Sequence, residues 1–321
     1  MDGFDYVNQR LFERSEAERK QFISDRVHWP IVDTVNDREL ADLTEDKWAC
    51  TKVLADAGIP VLPVTAMVNV ADDLEDTVCL NSPEQFASFL ADAALPLFAK
   101  PNLLLGSFGA FRIESFDGET VKLNTGAETT IPILMKTVMA DIPYVLQQVA
   151  ENHADIAKHT PNFATVRTLN MVENGEVRLA AAVFKIPVGD HIADNAWREG
   201  NLVADLDPVT GELRRVTQGK GIDLVIHETH PDSGLKLLGE TVPMWDAVLD
   251  LNEQTALRFD GLAYQSQDIG ITDAGPIVVE VNSGGGFMLP QQASGTGFLT
   301  DENKAFFERA GVNFKKLKPR G

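Results

Sequence analysis

The chain has 321 residues, with 28 Lys and Arg against 48 Asp and Glu, a formal net charge of −20. At roughly 150 residues per domain this is two domains, or one large domain built from lobes, and 44% hydrophobic residues are enough for a sizeable core. The acidic excess repels phosphate backbones and anionic lipid surfaces, which excludes a general nucleic-acid or membrane-surface binder but not a local basic pocket.

Residues 1–40 read as polar and helical, with acid–base pairs such as Glu16 and Lys20 one turn apart, a segment that packs on something else. Thr44 is predicted to cap a helix whose first turn carries Glu45 and Asp46, with Cys50, Val53, Leu54 and Ala57 on one apolar face. Gly58 and Pro60 stop it. Ser82-Pro83-Glu84-Gln85 is a capping box, followed by Phe86, Phe89, Leu90 and Ala93 at helical spacing. After Pro96, Leu97–Lys100 reads as a short strand. Thr165–Val172 and Glu176–Ile186 flank Asn174-Gly175, a strong hairpin signal. Trp245, Val248, Leu249 and Ala256 mark a helix that ends near Asp260-Gly261. A second hairpin joins Gln265–Thr272 to Pro276–Asn282, and Asn303–Gly321 reads as a short helix with a basic end. Helices mixed with antiparallel hairpins make the class α+β.

Cys50 and Cys79 alone make neither a disulfide scaffold nor a four-ligand zinc site. The first residues are charged and lack the apolar run of a signal peptide, and no stretch approaches the roughly 18 apolar residues of a membrane span. A cytoplasmic protein with no membrane and no nucleic-acid partner is expected. Neither a P-loop, a G-x-G-x-x-G fingerprint, a G-x-S-x-G elbow nor an H-E-x-x-H pair is present. His227-Glu228-Thr229-His230 has the wrong spacing for a helical zinc pair and reads as a loop.

The second hairpin carries the chemistry. Asp268 on one strand can face Glu280 on the other, and Glu280 and Asn282, two residues apart, project from one face. Two carboxylates and an amide oxygen are hard donors suited to Mg²⁺. The alternative is a solvated acidic face, although Ile269, Ile271, Val279 and Val281 take the other parity. Lys100 ends an apolar strand just before a loop containing Gly106, Ser107 and Gly109, where an ammonium and backbone N–H groups can meet phosphate oxygens. An ordinary turn with a surface lysine is the alternative there.

In chain order these segments resemble the ATP-grasp superfamily of carboxylate ligases. Asp46-Lys47 through Ala57-Gly58-Ile59-Pro60-Val61 is similar to its first lysine helix, Lys100-Pro101 to its second lysine strand, and Gly106-Ser107-Phe108-Gly109 to its phosphate loop. Tyr144–Val149, with Gln147, Gln148 and Val149, resembles the strand and hinge that hold adenine, and Asp268, Glu280 and Asn282 match the magnesium triad. The middle of the chain resembles the sugar-transfer-associated, glutamate-ligase-related branch, through Val149–His153, Thr165-Val166-Arg167, Ala193-Asp194-Asn195, Trp197–Asn201 and His230–Gly234. Gln147 departs from the glutamate that touches ribose in many relatives, Lys185 stands where an arginine is usual, and Gly284-Gly285-Gly286 extends the loop after Asn282.

The resemblance implies an ATP-grasp fold, two α+β lobes gripping the nucleotide after a helical N-terminal segment. The expected division is 1–65 for that segment and the first lysine helix, 66–145 for the small lobe, 146–300 for the large lobe, and 301–321 for a C-terminal helix and basic tail. It further implies ATP with Mg²⁺, or Mn²⁺ in its place, ADP as product, and small-molecule acid and amine substrates joined through an acyl phosphate, in a chain that forms a homodimer. Arg167, Lys185 and Asn195 are the catalytic candidates toward the acid and its oxyanion, with Arg198 a weaker one and His153 and His230 as loop supports. A salt bridge on a strand is the alternative for Arg167. Two other activities are open: phosphoryl transfer to a hydroxyl, and an ATP-binding regulator that does not ligate.

Overall fold

The computed structural model describes residues 3–104, 108–189, 191–192 and 200–318. Its contacts divide the chain into two units, one made of Met1–Thr44 with Glu151–Gly321, the other of Glu45–Ala150.

The Glu45–Ala150 unit holds strands β1 (Val64–Val68), β2 (Cys79–Leu80), β3 (Leu97–Pro101), β4 (Phe111–Phe116), β5 (Thr120–Leu123), β6 (Glu128–Thr130) and β7 (Tyr144–Gln148). They form one sheet in the order β2-β1-β7-β3-β4-β5-β6, antiparallel except for β1 with β2. Alternation decides the faces. Ala66, Val68, Leu97, Ala99, Tyr144 and Leu146 join one apolar core with Phe86 and Leu90 of the helix Pro83–Asp92. Phe98 and Lys100, at register positions opposite Gln147 and Val145, take the other face. The capping box at Ser82 and Gln85 forms as the sequence predicts. The helix Lys47–Asp56 corrects one detail. Asp46, not Thr44, is its cap, its carboxylate accepting from Ala49 N at 2.9 Å, whereas Thr44 lies inside the preceding helix Arg38–Glu45. A carboxylate accepts a helix N–H and also complements the dipole, so it outcompetes the hydroxyl two residues earlier.

The other unit holds β8 (Thr165–Glu173), β9 (Glu176–Ile186), β10 (Leu202–Leu206), β11 (Leu213–Gln218), β12 (Val225–His227), β13 (Tyr264–Thr272) and β14 (Gly275–Asn282) in an antiparallel sheet ordered β12-β11-β10-β9-β8-β13-β14. Asn174 (φ 55°) and Gly175 (φ 77°) are both left-handed, the conformation a two-residue hairpin turn of primed type needs. β13 pairs with β14 so that Ser266 faces Asn282 and Asp268 faces Glu280. The register then shifts, Ile269 pairing with Val278, which makes Val279 a bulge residue. Val278, buried to 2% exposure, thus replaces Val279 among the apolar residues of the opposite face, a correction to the simple alternation.

That opposite face packs on the helix Trp245–Arg258. Gln265 Nε2 donates to the carbonyls of Ala256, Phe259 and Leu262, and Gln267 Nε2 to that of Asn252. Tyr264, Phe287, Phe298 and Phe307 stack into a second core with Ile31 and Val32 from the N-terminal helix His28–Val35. The last helix, Asp301–Arg309, begins at a Thr300 cap and stops at Arg309, so the predicted span from Asn303 to the C-terminus is too long. Among the described residues no helix is long and apolar enough to cross a membrane.

Candidate active site

Asp268 lies at the centre of a charged row across the second sheet. Its register partners are Glu280 on β14 and Arg167 on β8, so the three side chains share a face. Arg167 grips it bidentately, Nε to Oδ1 at 2.8 Å and Nη2 to Oδ2 at 2.6 Å. Lys185, from β9, places Nζ 3.0 Å from Oδ1. Lys185 opposes Thr165, two residues before Arg167, and so belongs to the same face. Burial of Asp268 opposes its charge, but Arg167 and Lys185 outweigh it and hold the carboxyl well below the usual carboxylate range. The salt bridge considered for Arg167 is thus real, and its partner is the first member of the triad. Such a row is easily missed, because Arg167 and Asp268 are 101 positions apart.

Glu280 and Asn282 are half-buried beside this row. The Asn282 amide nitrogen is sealed from solvent without a hydrogen-bond partner. Turning the amide over puts an oxygen there, and an oxygen facing a cation needs no donor. With one lone-pair position left on Asp268 Oδ2 and the carboxylate of Glu280, the donor set fits a hard divalent cation. Among the described residues no three His, Cys, Asp or Glu gather as a metal cluster.

The loop after Asn282 is held from the N-terminal segment, a feature the sequence reading missed. Asp25 Oδ1 accepts from Phe287 N at 2.5 Å and Met288 N at 3.0 Å, and His28 Nε2 accepts from Gly285 N at 3.3 Å. Tyr264 Oη donates to Gly286 O, and Ser266 Oγ to Gly284 O. Gly284, at φ +137°, has His28 Nε2 and Val32 Cγ2 where a Cβ would go, which explains the glycine. Burial pushes the His28 imidazole down to about 4, so at neutral pH Nε2 is an acceptor.

In the other unit, Lys47 donates Nζ to the carbonyls of Asn102 (3.3 Å) and Leu104 (2.7 Å). Asn102, also unforeseen, ties the same joint: Oδ1 accepts from Trp48 N and Nδ2 donates to Asp46 Oδ1. The first lysine helix therefore anchors the start of the loop that follows β3. Gly109 closes that loop at φ +76°, its carbonyl bonded by Tyr144 Oη and its Cβ position filled by Tyr144 and Pro101. Gly106 and Ser107 lie outside the described residues, as do Asn195 and Arg198. Gln147 is buried, with Nε2 donating to Leu62 O at 2.7 Å and Oε1 lacking any donor. Gln148 is exposed and donates to Ala94 O, and Val149 follows the end of β7. His153 Nδ1 caps the helix Ala154–Ala157, and His230 Nδ1 accepts from Asp232 N, so both support loops.

Residues 116–305, which include Arg167, Lys185, Asp268, Glu280 and Asn282, match the profile of the family described as sugar-transfer associated ATP-grasp. No curated protein matches by sequence. Similar solved structures include a D-alanine–D-alanine ligase from Bacillus anthracis, 14% identical over 86% of this chain and 69% of that one, with a TM-score of 0.46. An N5-carboxyaminoimidazole synthase from Aspergillus clavatus, in complex with ADP and 5-aminoimidazole ribonucleotide, is 12% identical over 77% of this chain and 46% of that one, with a TM-score of 0.46. The VanG D-Ala:D-Ser ligase from Enterococcus faecalis is 12% identical over 85% and 64%, with a TM-score of 0.45.

Proposed function

The chain belongs to the sugar-transfer-associated ATP-grasp family, and from that premise we propose that it is an ATP-dependent ligase that joins the carboxylate of an amino acid or small acid to an amine. The observation that carries this is the Glu280–Asp268–Arg167 row, with Lys185 on Asp268 and the unpartnered amide of Asn282 beside it. It offers both signs of charge that such a reaction needs.

A carboxylate is a poor electrophile because its leaving group would be oxide. In the proposed reaction a carboxylate oxygen attacks the γ-phosphorus, the bond to the β-phosphate oxygen breaks, and ADP leaves. The amine then attacks the acyl phosphate, loses a proton, and expels inorganic phosphate. Asp268, Glu280 and Asn282 would hold Mg²⁺, which when bound neutralises charge between the β- and γ-phosphates. Arg167 presents a planar pair of N–H donors that suits the acid or the oxyanion formed from it. Lys47, whose Nζ bonds carbonyls at the start of the loop after β3 in the ligand-free protein, and Lys100 would contact the α- and β-phosphates, and the Gly106–Gly109 loop would exclude water from the acyl phosphate.

The test is the melting temperature with ATP, with and without Mg²⁺, for wild type and Glu280→Ala. A ligand at 100 times its dissociation constant stabilises by about 2.7 kcal/mol, a shift of a few degrees. A Mg²⁺-dependent rise in wild type that Glu280→Ala abolishes supports the assignment, and an undiminished rise in the variant removes Glu280 from the metal. ADP release that requires both an acid and an amine then identifies the ligase.

A further inference from the structure

Asp268 is claimed twice. The fold gives its oxygens to Arg167 and Lys185 through three contacts of 2.6–3.0 Å, and the proposed function needs the same oxygens for a divalent cation. A carboxylate has about four lone-pair positions, so one is left. A divalent cation placed there, with Glu280 opposite, joins a guanidinium and an ammonium around two carboxylates, so positive charge exceeds negative and an added anion relieves the repulsion. The two cations are not equivalent: the Arg167 side chain is 22% exposed and within reach of a ligand in solvent, whereas that of Lys185 is 5% exposed.

We propose that Arg167 is a charge-exchange residue: it occupies Asp268 in the ligand-free protein and passes to an incoming oxyanion when a divalent cation takes Asp268, so that metal and anion bind together and neither binds well alone. Lys185 stays on Oδ1 and keeps the carboxylate oriented through the exchange. The inference rests on the metal assignment above and adds an order to it. The coupling is reciprocal by linkage, so the anion tightens the metal by the same factor as the metal tightens the anion. It also makes an unusual demand, that removing a side chain from the site improves metal binding.

The experiment measures Mn²⁺ binding by the electron paramagnetic resonance of free Mn²⁺, without nucleotide, with and without inorganic phosphate as the anion. Wild type, Arg167→Gln and Arg167→Lys are compared. Expected are weak Mn²⁺ binding by wild type, at least tenfold tighter binding by Arg167→Gln, and binding like wild type by Arg167→Lys, which keeps the competing charge. Phosphate should tighten Mn²⁺ at least tenfold in wild type and leave Arg167→Gln unchanged. Arg167→Gln binding Mn²⁺ no better than wild type overturns the proposal, as does Arg167→Lys behaving like Arg167→Gln. Should Arg167→Gln not fold, wild type alone still decides, because absence of phosphate synergy refutes the exchange. The two readings fail separately: stabilisation by Mg²⁺ and ATP without phosphate synergy rejects the exchange alone, and synergy without any response to ATP rejects the ligase alone.

Discussion

The two faces of strand β13 solve the same problem differently. On one, Gln265 and Gln267 meet the helix Trp245–Arg258 and the turn after it through amide N–H bonds to four backbone carbonyls. On the other, Asp268 meets two cations, and Ser266 and Tyr264 bond the glycine loop. Both faces bury polar groups, which cost free energy where they are not satisfied; on the amide face the Nε2 atoms are bonded, whereas the Oε1 atoms of Gln265 and Gln267 are not. Amides bonded to backbone carbonyls have one geometry and no spare charge, so they specify packing. A carboxylate shared by two cations is satisfied by charge, and charge can be traded for that of a ligand. The face that carries the proposed chemistry is the one satisfied by charge.

Removing the shared charge is the largest break in this comparison. Asp268→Ala leaves Arg167 and Lys185 facing each other in a buried site, and about 3–5 kcal/mol should be lost in urea unfolding. Mg²⁺-dependent ATP turnover should vanish with it. A loss below about 1 kcal/mol would mean that the two cations relax to other partners and that the row is not held by Asp268. Next in size is the neutral support on the same face. His28 is depressed to about 4 in the folded state against 6.5 unfolded. The unfolded chain therefore binds the extra proton between those values, so this contribution is full above pH 6.5 and is lost as the pH falls to 4. The decline should amount to about 3 kcal/mol, and His28→Gln should lack that part of the acid sensitivity while being less stable at pH 7. Equal pH profiles for the two proteins would place His28 outside the titration.

How much of this was legible depends on sequence distance. The Asn174-Gly175 turn fixes its own register, and counting along a short hairpin was enough to set Asp268 opposite Glu280. The bulge at Val279 carries no glycine or other residue signature, so alternation ran one residue past where it held. Asp46 and Thr44 are both good caps, and only the fold of the preceding helix decides between them. The clasp of Asp25 and His28 on the loop after Asn282 joins residues 262 and 257 positions apart. No periodicity reports such a contact, because it depends on how the N-terminal helix docks, and the same holds for Arg167 and Asp268. The candidate residues are named by the sequence, whereas their pairing is a tertiary fact.

The smallest effect belongs to the amide face and is the sharpest control. Gln265 is fully buried, and its Nε2 serves three carbonyls at the end of the helix Trp245–Arg258. Gln265→Ala withdraws one donor group and leaves a small cavity, while the carbonyls of Ala256 and Phe259 keep the N–H groups of Phe259 and Leu262. Each buried acceptor left unmade costs on the order of 1 kcal/mol or more, but the three share one nitrogen and cannot each have received a full bond, so a total of about 2 kcal/mol is expected. The stabilisation by Mg²⁺ and ATP should be unchanged, since nothing on that face carries charge to exchange. If Gln265→Ala lowers the ligand-dependent shift as much as the global stability, the two faces of β13 are coupled through the strand, and the separation of packing from chemistry across it is wrong.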